Sequence, residues 1–221
     1  MKDSLKISEI FYSVQGEAFY SGYPCIFIRT SGCNLKCSWC DTKYADKGSL
    51  LTIKEILDKV KNFNNCKLVE LTGGEPLRQP SSIKLMSYLI DQNYKVLLET
   101  NGSCDIKDVP QKVHIILDIK CPSSGMSTYN LLSNLNYLKP TDEIKFVVQD
   151  RSDFDWAKSF ILSHSLNKNQ TSDKSNLLVS AIFGKLKLED LVQWIKETPD
   201  IHFKLNVQIH KFIWDPSRRG V

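Results

Sequence analysis

The sequence predicts an α/β fold, a parallel sheet, closed or partly closed into a barrel, whose strands are joined by crossover helices. Two observations carry this. Short apolar, β-branched runs alternate along the chain with segments of helical period, the pattern of repeated βαβ units. Polar and glycine residues gather just past the ends of those runs, at Ser31-Gly32, Thr72-Gly-Gly-Glu-Pro76, Glu99-Thr-Asn-Gly102, Asp118-Ile-Lys120, Lys145, Ser180 and Gln208-Ile-His210. Sheets of this kind place function at the C-terminal ends of their strands, so a rim this loaded reads as one large site.

The elements follow in order. Strands are expected near residues 7–13 and 25–30, the second being Cys25-Ile-Phe-Ile-Arg-Thr30. A helix over 52–63 starts at Thr52, where Glu55 stands three residues later in capping-box spacing. A strand at 67–72 leads to a helix over 80–92, opened by Pro80-Ser81-Ser82. Strands near 94–100 and 113–119 come next, then a helical pattern over 127–138 and a strand at 143–149. Helices over 152–165 and 187–198 bracket a strand at 176–182, and a last strand is expected over 202–209. The polar stretch Asn167–Asn176 reads as a surface loop.

The chain has 221 residues, within the range of one domain with a sizeable core, and nothing in it resembles a linker. A single domain over 1–221 is the expectation. With 29 basic against 25 acidic residues, the net charge of +4 is too mild and too evenly spread to argue for nucleic-acid binding. No apolar run approaches the ~20 residues of a membrane helix. The N-terminus, Met1-Lys-Asp-Ser-Leu-Lys-Ile-Ser-Glu-Ile10, has charges where a signal peptide needs an apolar run. Seven cysteines in such a chain point to the reducing cytoplasm and not to a disulfide framework.

Three of those cysteines, Cys33, Cys37 and Cys40, stand together in Ser31-Gly-Cys-Asn-Leu-Lys-Cys-Ser-Trp-Cys-Asp-Thr42. Three thiolates can hold three irons of a 4Fe-4S cluster, which normally takes four cysteines, and one iron then stays open to a small molecule. Zinc is a rival if a fourth ligand comes from Cys25, Cys66, Cys104, Cys121 or a histidine, although no second cysteine pair at zinc spacing exists. A thioredoxin-like pair at Cys37 and Cys40 would leave Cys33 unexplained.

Two further runs carry chemistry. In Thr72-Gly-Gly-Glu-Pro76 adjacent glycines permit close backbone approach, and Glu75 supplies a carboxylate suited to an ammonium group. The run lacks the later Gly-Lys-Ser/Thr of a phosphate-binding loop. In Phe11-Tyr-Ser-Val-Gln-Gly-Glu17 a directed set of donors and acceptors ends the first strand. Arg29 on the next strand is placed to pair with a ligand carboxylate or with Glu17 itself.

The C-x3-C-x2-C spacing followed by Asp41 and Thr42 resembles the signature of radical S-adenosylmethionine (SAM) enzymes. Together with Ser13-Val-Gln-Gly-Glu17, Arg29, Thr72-Gly-Gly-Glu-Pro76, Asp118-Ile-Lys-Cys-Pro122 and Gln208-Ile-His-Lys211, it resembles the 7-carboxy-7-deazaguanine synthase family along the whole chain. The resemblance implies the compact variant of the radical SAM partial barrel. It also implies conversion of 6-carboxy-5,6,7,8-tetrahydropterin to 7-carboxy-7-deazaguanine, on the route to queuosine and other 7-deazapurines. Cys33, Cys37 and Cys40 would bind the 4Fe-4S cluster and Thr42 a magnesium ion. Trp39, Cys40, Asp41, Gly74, Glu75, Asp118, Ile119 and Lys120 would contact SAM, and Ser180 its adenosine. Val14, Gln15, Gly16, Glu17, Arg29, Thr72 and His210 would hold the pterin, with Glu17 also a candidate proton carrier and Val221 reaching substrate through its terminal carboxylate. An external one-electron donor of flavodoxin or ferredoxin type and a homodimer come with the resemblance. Other classes stay open: another small radical SAM enzyme such as a glycyl-radical activase, or a zinc-binding interaction module.

Overall fold

The computed structural model describes residues 3–63, 66–168, 176–215 and 218–221. Its strands are β1 (Ser4–Val14), β2 (Pro24–Thr30), β3 (Ser49–Thr52), β4 (Leu68–Gly73), β5 (Lys95–Thr100), β6 (His114–Ile119), β7 (Glu143–Val148), β8 (Leu177–Ala181) and β9 (Phe203–Leu205). All belong to one sheet in the order β3-β1-β2-β4-β5-β6-β7-β8-β9. From β2 to β9 every pairing is parallel. The sheet is curved but not closed by any ladder between β3 and β9, in keeping with the expected partial barrel.

Because the parallel strands follow one another in chain order, right-handed crossovers put their helices on one face. These are α1 (Ile53–Lys61), α2 (Ser81–Asp91), α3 (Arg151–Ser163) and α4 (Leu188–Lys196). Thr52 caps α1 as a full capping box: its hydroxyl accepts from Glu55 N, and the Glu55 carboxylate accepts from Thr52 N at 2.7 Å. Asp150 caps α3 by accepting from Asp153 N. The strand residues facing the helices are apolar, among them Val69, Leu71, Val96, Leu98, Leu117, Phe146 and Val179, and they join one buried core. Strand side chains alternate between faces, so the residues between them point the other way. On that concave face stand Glu70, Thr72, Glu99, Asp118, Glu143, Lys145 and Ser180.

The concave face is plugged at the strands' N-terminal ends. Ala18, from the segment after β1, packs with Leu97, Ile116 and Leu178. Tyr20 stands edge-on to His114 with centroids 5.5 Å apart, and His114 Nε2 lies 2.8 Å from Glu143. Residues after β9 meet this plug: Asn206 Oδ1 accepts from Ala18 N at 2.7 Å, and Ile209 N donates to Gly16 O at 3.0 Å. Loop contacts therefore join the early and late parts of the open sheet.

Four expectations need correction. The first strand is antiparallel to both neighbours, and β3 forms between Ser49 and Thr52. The last strand stops at Leu205, and His210 opens a short helix, α5 (His210–Ile213), instead of ending a strand. The expected helix over 127–138 is a series of 3-10 turns at Pro122–Ser124, Ser127–Tyr129 and Leu132–Tyr137. The reason is local competition for the backbone by asparagine side chains. Asn130 accepts from Lys120 N at 2.9 Å and donates to Lys120 O at 3.0 Å. Asn134 donates to Gly102 O and Cys104 O and accepts from Ile106 N. Most of the loop expected over 167–176 lies outside the described residues.

Asn134 has no exposed surface. Replacing it by alanine strips three backbone groups of their partner, so Asn134→Ala should cost about 3 kcal/mol, read as a shift in the denaturant midpoint at constant slope.

Candidate active site

Cys33, Cys37 and Cys40 lie on the loop after β2, free of disulfides and partly exposed, whereas Cys25, Cys66 and Cys121 are buried. The loop is closed at its base by Gly32 N donating to Ala45 O and Ser31 Oγ to Asp46 O. Its outer side rests on the turn after β6, where Ser38 donates to Ser123 O and Ser124 O and Lys36 N to Met126 Sδ. Leu35 N and Asn101 Nδ2 donate to Cys33 Sγ at 3.4 and 3.5 Å. Burial is the main influence raising the pKa values of Cys33 and Cys37, and neighbouring sulfurs raise Cys37 further while Lys120 opposes both. Three thiols on one short loop, two N–H donors aimed at Cys33 Sγ and an ammonium near Cys33 and Cys37 are chemistry suited to an iron–sulfur cluster carrying negative charge, while among the described residues no three His, Cys, Asp or Glu side chains are already gathered as a metal-ligand set.

The Gly73-Gly74-Glu75 turn is stitched to the root of this loop. Gly73 has φ +133°, and a Cβ at Gly74 would lie 2.1 Å from Gly32 O, so the turn fits only without side chains. Gly74 N donates to Thr30 O and Glu75 N to Gly32 O. Glu75 itself is fully buried: its carboxylate accepts from Thr100 Oγ1 at 2.9 Å, Leu77 N at 3.0 Å and Asn101 N at 2.8 Å. The expected side-chain acceptor for an ammonium is thus spent on the fold, and what this turn offers a ligand is its backbone.

Behind the cysteines, the concave face holds a charged network. The Glu17 carboxylate accepts from Gln208 Nε2 at 2.8 Å, Lys145 Nζ at 3.0 Å and Asn206 Nδ2 at 3.3 Å. Burial works to raise its pKa, but Lys145, Gln208 and His210 outweigh it and hold the carboxyl down at about 2. Glu17 stands here as an ionised acceptor for all three donors. Lys145 also bonds Glu99, which accepts from Thr72 Oγ1 at 3.4 Å. Asp118 Oδ2 pairs with Lys120 at 2.9 Å, while Asp118 Oδ1 is buried with no partner among the described residues, an orphan acceptor aimed into the site.

The other expected residues fall as follows. Val14 ends β1, and Gln15 is consumed internally, its side chain accepting from Glu17 N and donating to Glu70. Gly16 is pressed against His210: a Cβ there would sit 2.0 Å from the imidazole Nδ1. Burial lowers the His210 pKa, keeping the ring neutral at pH 7. Arg29 pairs with Glu9 at 2.7 Å and not with Glu17, and Tyr44 donates to the same Glu9 oxygen. Ile119 is buried in the core, leaving only its main chain for a ligand, and both main-chain groups of Lys120 are held by Asn130. Ser180 accepts from Asn206 at 2.8 Å, which places it beside Glu17. Trp39 is half-buried, and Asp41 pairs with Lys211 of α5 at 2.7 Å. Thr42 donates to Asp41 and its Oγ1 lies 3.9 Å from Cys40 Sγ. Val221 is half-buried, and Arg219 stacks over Tyr44 at 4.1 Å, returning the last residues to the side of Arg29. Sequence reasoning set Lys145 and Glu99 on the loaded rim without a role of their own and passed over Glu70 and Asn206, although Lys145, Glu99 and Glu70 share the strand parity of the concave face.

Glu70 makes a measurable prediction. Burial, then the like charges of Glu99 and Glu17, push its carboxyl well above the usual 4.5, so folding takes up a proton wherever the pH lies between that value and the raised one. This group's stability contribution is full below pH 4.5 and lost as pH rises toward the folded pKa. Glu70→Gln should melt close to the wild type near pH 5 and above it at pH 8, in a thermal series against pH.

The description of the Radical SAM superfamily matches residues 27–125, from β2 through the cysteine loop to the turn after β6. The chain is 40% identical over 231 residues to the 7-carboxy-7-deazaguanine synthase of Koribacter versatilis (strain Ellin345), covering 98% of this chain and 100% of that protein. It is also 40% identical over 221 residues to the 7-carboxy-7-deazaguanine synthase of Chlorobaculum tepidum, covering 98% and 97%. Its fold is similar to the crystal structure of QueE from Escherichia coli, with TM-score 0.74, 23% identity and coverage of 93% and 94%. Among the described residues, no helix is long and apolar enough to cross a membrane. Matched nearly end to end with relatives at this identity, and carrying the cysteine loop and glycine turn in contact, the chain belongs to the 7-carboxy-7-deazaguanine synthase family of radical SAM enzymes.

Proposed function

We infer that this chain catalyses its family's reaction, the radical ring contraction of 6-carboxy-5,6,7,8-tetrahydropterin to 7-carboxy-7-deazaguanine with loss of ammonia, in queuosine and 7-deazapurine biosynthesis. The observation that carries this reading is the pairing of two ends on one concave face: a three-cysteine loop above, and a wall of fixed donors and acceptors below. When bound, the 4Fe-4S cluster and SAM supply a carbon radical that takes a hydrogen from substrate, and magnesium supplies charge stabilisation.

The chain's own residues do the rest. Cys33, Cys37 and Cys40 would hold the cluster, and the backbone of Gly74 and Glu75 lies where it would meet the methionine amino group of SAM. The orphan Asp118 oxygen would accept from the same ligand. Lower on the face, Glu17 is an ionised acceptor, the neutral His210 a hydrogen-bonding partner, and Arg29 a cation for the substrate carboxylate. Thr42 would ligate magnesium through its hydroxyl. Water and substrate oxygens would fill the remaining positions around that ion. The plug of Ala18 and Tyr20 suits a small molecule, because it excludes water from below. With this reading go a flavodoxin- or ferredoxin-type electron donor, a homodimer, a cytoplasmic setting and residues 1–221 acting as one catalytic unit.

The test is an anaerobic assay of iron-reconstituted protein with reductant, SAM, magnesium and the tetrahydropterin. The deazapurine should form; 5′-deoxyadenosine without it would sink the substrate assignment and leave only the superfamily. Cys37→Ala should abolish both products. Thr42→Ala should turn over weakly and lose the rate response to added magnesium, whereas an unchanged magnesium titration would remove the ligand role.

A further inference from the structure

Lys145 stands on β7 with its side chain on the concave face, 3% exposed. Its ammonium bonds Glu17 Oε2 at 3.0 Å and Glu99 Oε1, and lies 3.9 Å from Asp118 Oδ2. Three carboxylates thus converge on one cation from three parts of the chain: the segment after β1, β5 and β6. Lys120 pairs with Asp118 at 2.9 Å. A fourth carboxyl, Glu70, is bonded to Gln15 on the same face.

Deleting the Lys145 charge would leave Glu17 and Glu99 facing each other in a buried space. Like charges there are relieved only by separation or by taking up a proton, and a protonated carboxyl donates where a carboxylate accepts. The distinction matters for the proposed substrate, whose 2-amino-4-oxo ring edge presents N–H donors. Glu99 is the more open of the two, with 27% of its side chain exposed against 16% for Glu17. Among the described residues its hydrogen-bond partners are Lys145 and the Thr72 hydroxyl, so it has acceptor capacity left for a ligand.

We propose that Lys145 is a positioning residue for this reaction, its ammonium holding Glu99 and Glu17 side by side as charged acceptors for the N–H groups of the pterin ring. The proposal rests on the substrate reading above. It acts through the two carboxylates, and the lysine itself need not touch the reacting atoms.

Lys145→Met and Lys145→Gln in the reconstituted enzyme test it, with circular dichroism to verify the fold. The expected result is a rise in KM for the tetrahydropterin of tenfold or more, with kcat within about threefold of wild type. Calorimetric affinity of the oxidised enzyme for 7-carboxy-7-deazaguanine should fall in step, while SAM affinity stays unchanged. KM and product affinity within twofold of wild type in a folded variant would overturn the proposal and leave the substrate reading intact. Unfolding of both variants would overturn it in favour of a structural role. Wild-type protein that neither turns over the pterin nor binds the product would overturn the substrate reading, and the proposal with it.

Discussion

The cysteine end of the molecule depends on the buried carboxylate of Glu75. Its two oxygens collect a hydroxyl and two amides from the tips of β4 and β5, while its own amide reaches Gly32 at the root of the cysteine loop. Asn101, whose N–H it accepts, donates in turn to Cys33. Burial raises the Glu75 pKa, and these donors work against that rise. Three hydrogen bonds to a desolvated acid are worth on the order of several kcal/mol. They also fix the sulfur positions, because Gly73 and Gly74 let the turn lie against Thr30 and Gly32 with no side chain between.

Much of this was legible in the sequence. The alternation of strand and helix periods places the parallel sheet and all four long helices within a few residues, and the cysteine and glycine motifs lie where strand ends put them. What the sequence concealed was of two kinds. The pairing direction of β1 depends on partners distant in the chain, and the 3-10 run at 122–137 depends on Asn130 and Asn134 finding carbonyls and amides of other loops. Roles were also harder to read than positions. Glu75, Gln15 and Arg29 look like ligand contacts because their chemistry suits one, yet each has its capacity wholly or partly spent on protein partners.

Lys145 shows the converse. Its place on the loaded rim was legible, but its burial among carboxylates follows only from the segments packed beside it. Glu70, Glu99, Asp118 and Lys145 come from four consecutive parallel strands, so the register that builds the sheet also sets the spacing of its charges. A one-residue slip in any of them would send a polar or charged side chain into the core. Fold specificity and site chemistry are therefore the same constraint on these strands.

The sheet is open, and loop and side-chain contacts bridge its early and late parts, among them Ala18 with Asn206, Gly16 with Ile209, Glu17 with Gln208, and Asp41 with Lys211. A closed barrel has no seam, but this one does, and it can part without breaking a single ladder bond. Every one of those contacts involves a residue of the site or its immediate neighbour. A shift along the seam would therefore also shift those residues, with every ladder bond of the sheet intact.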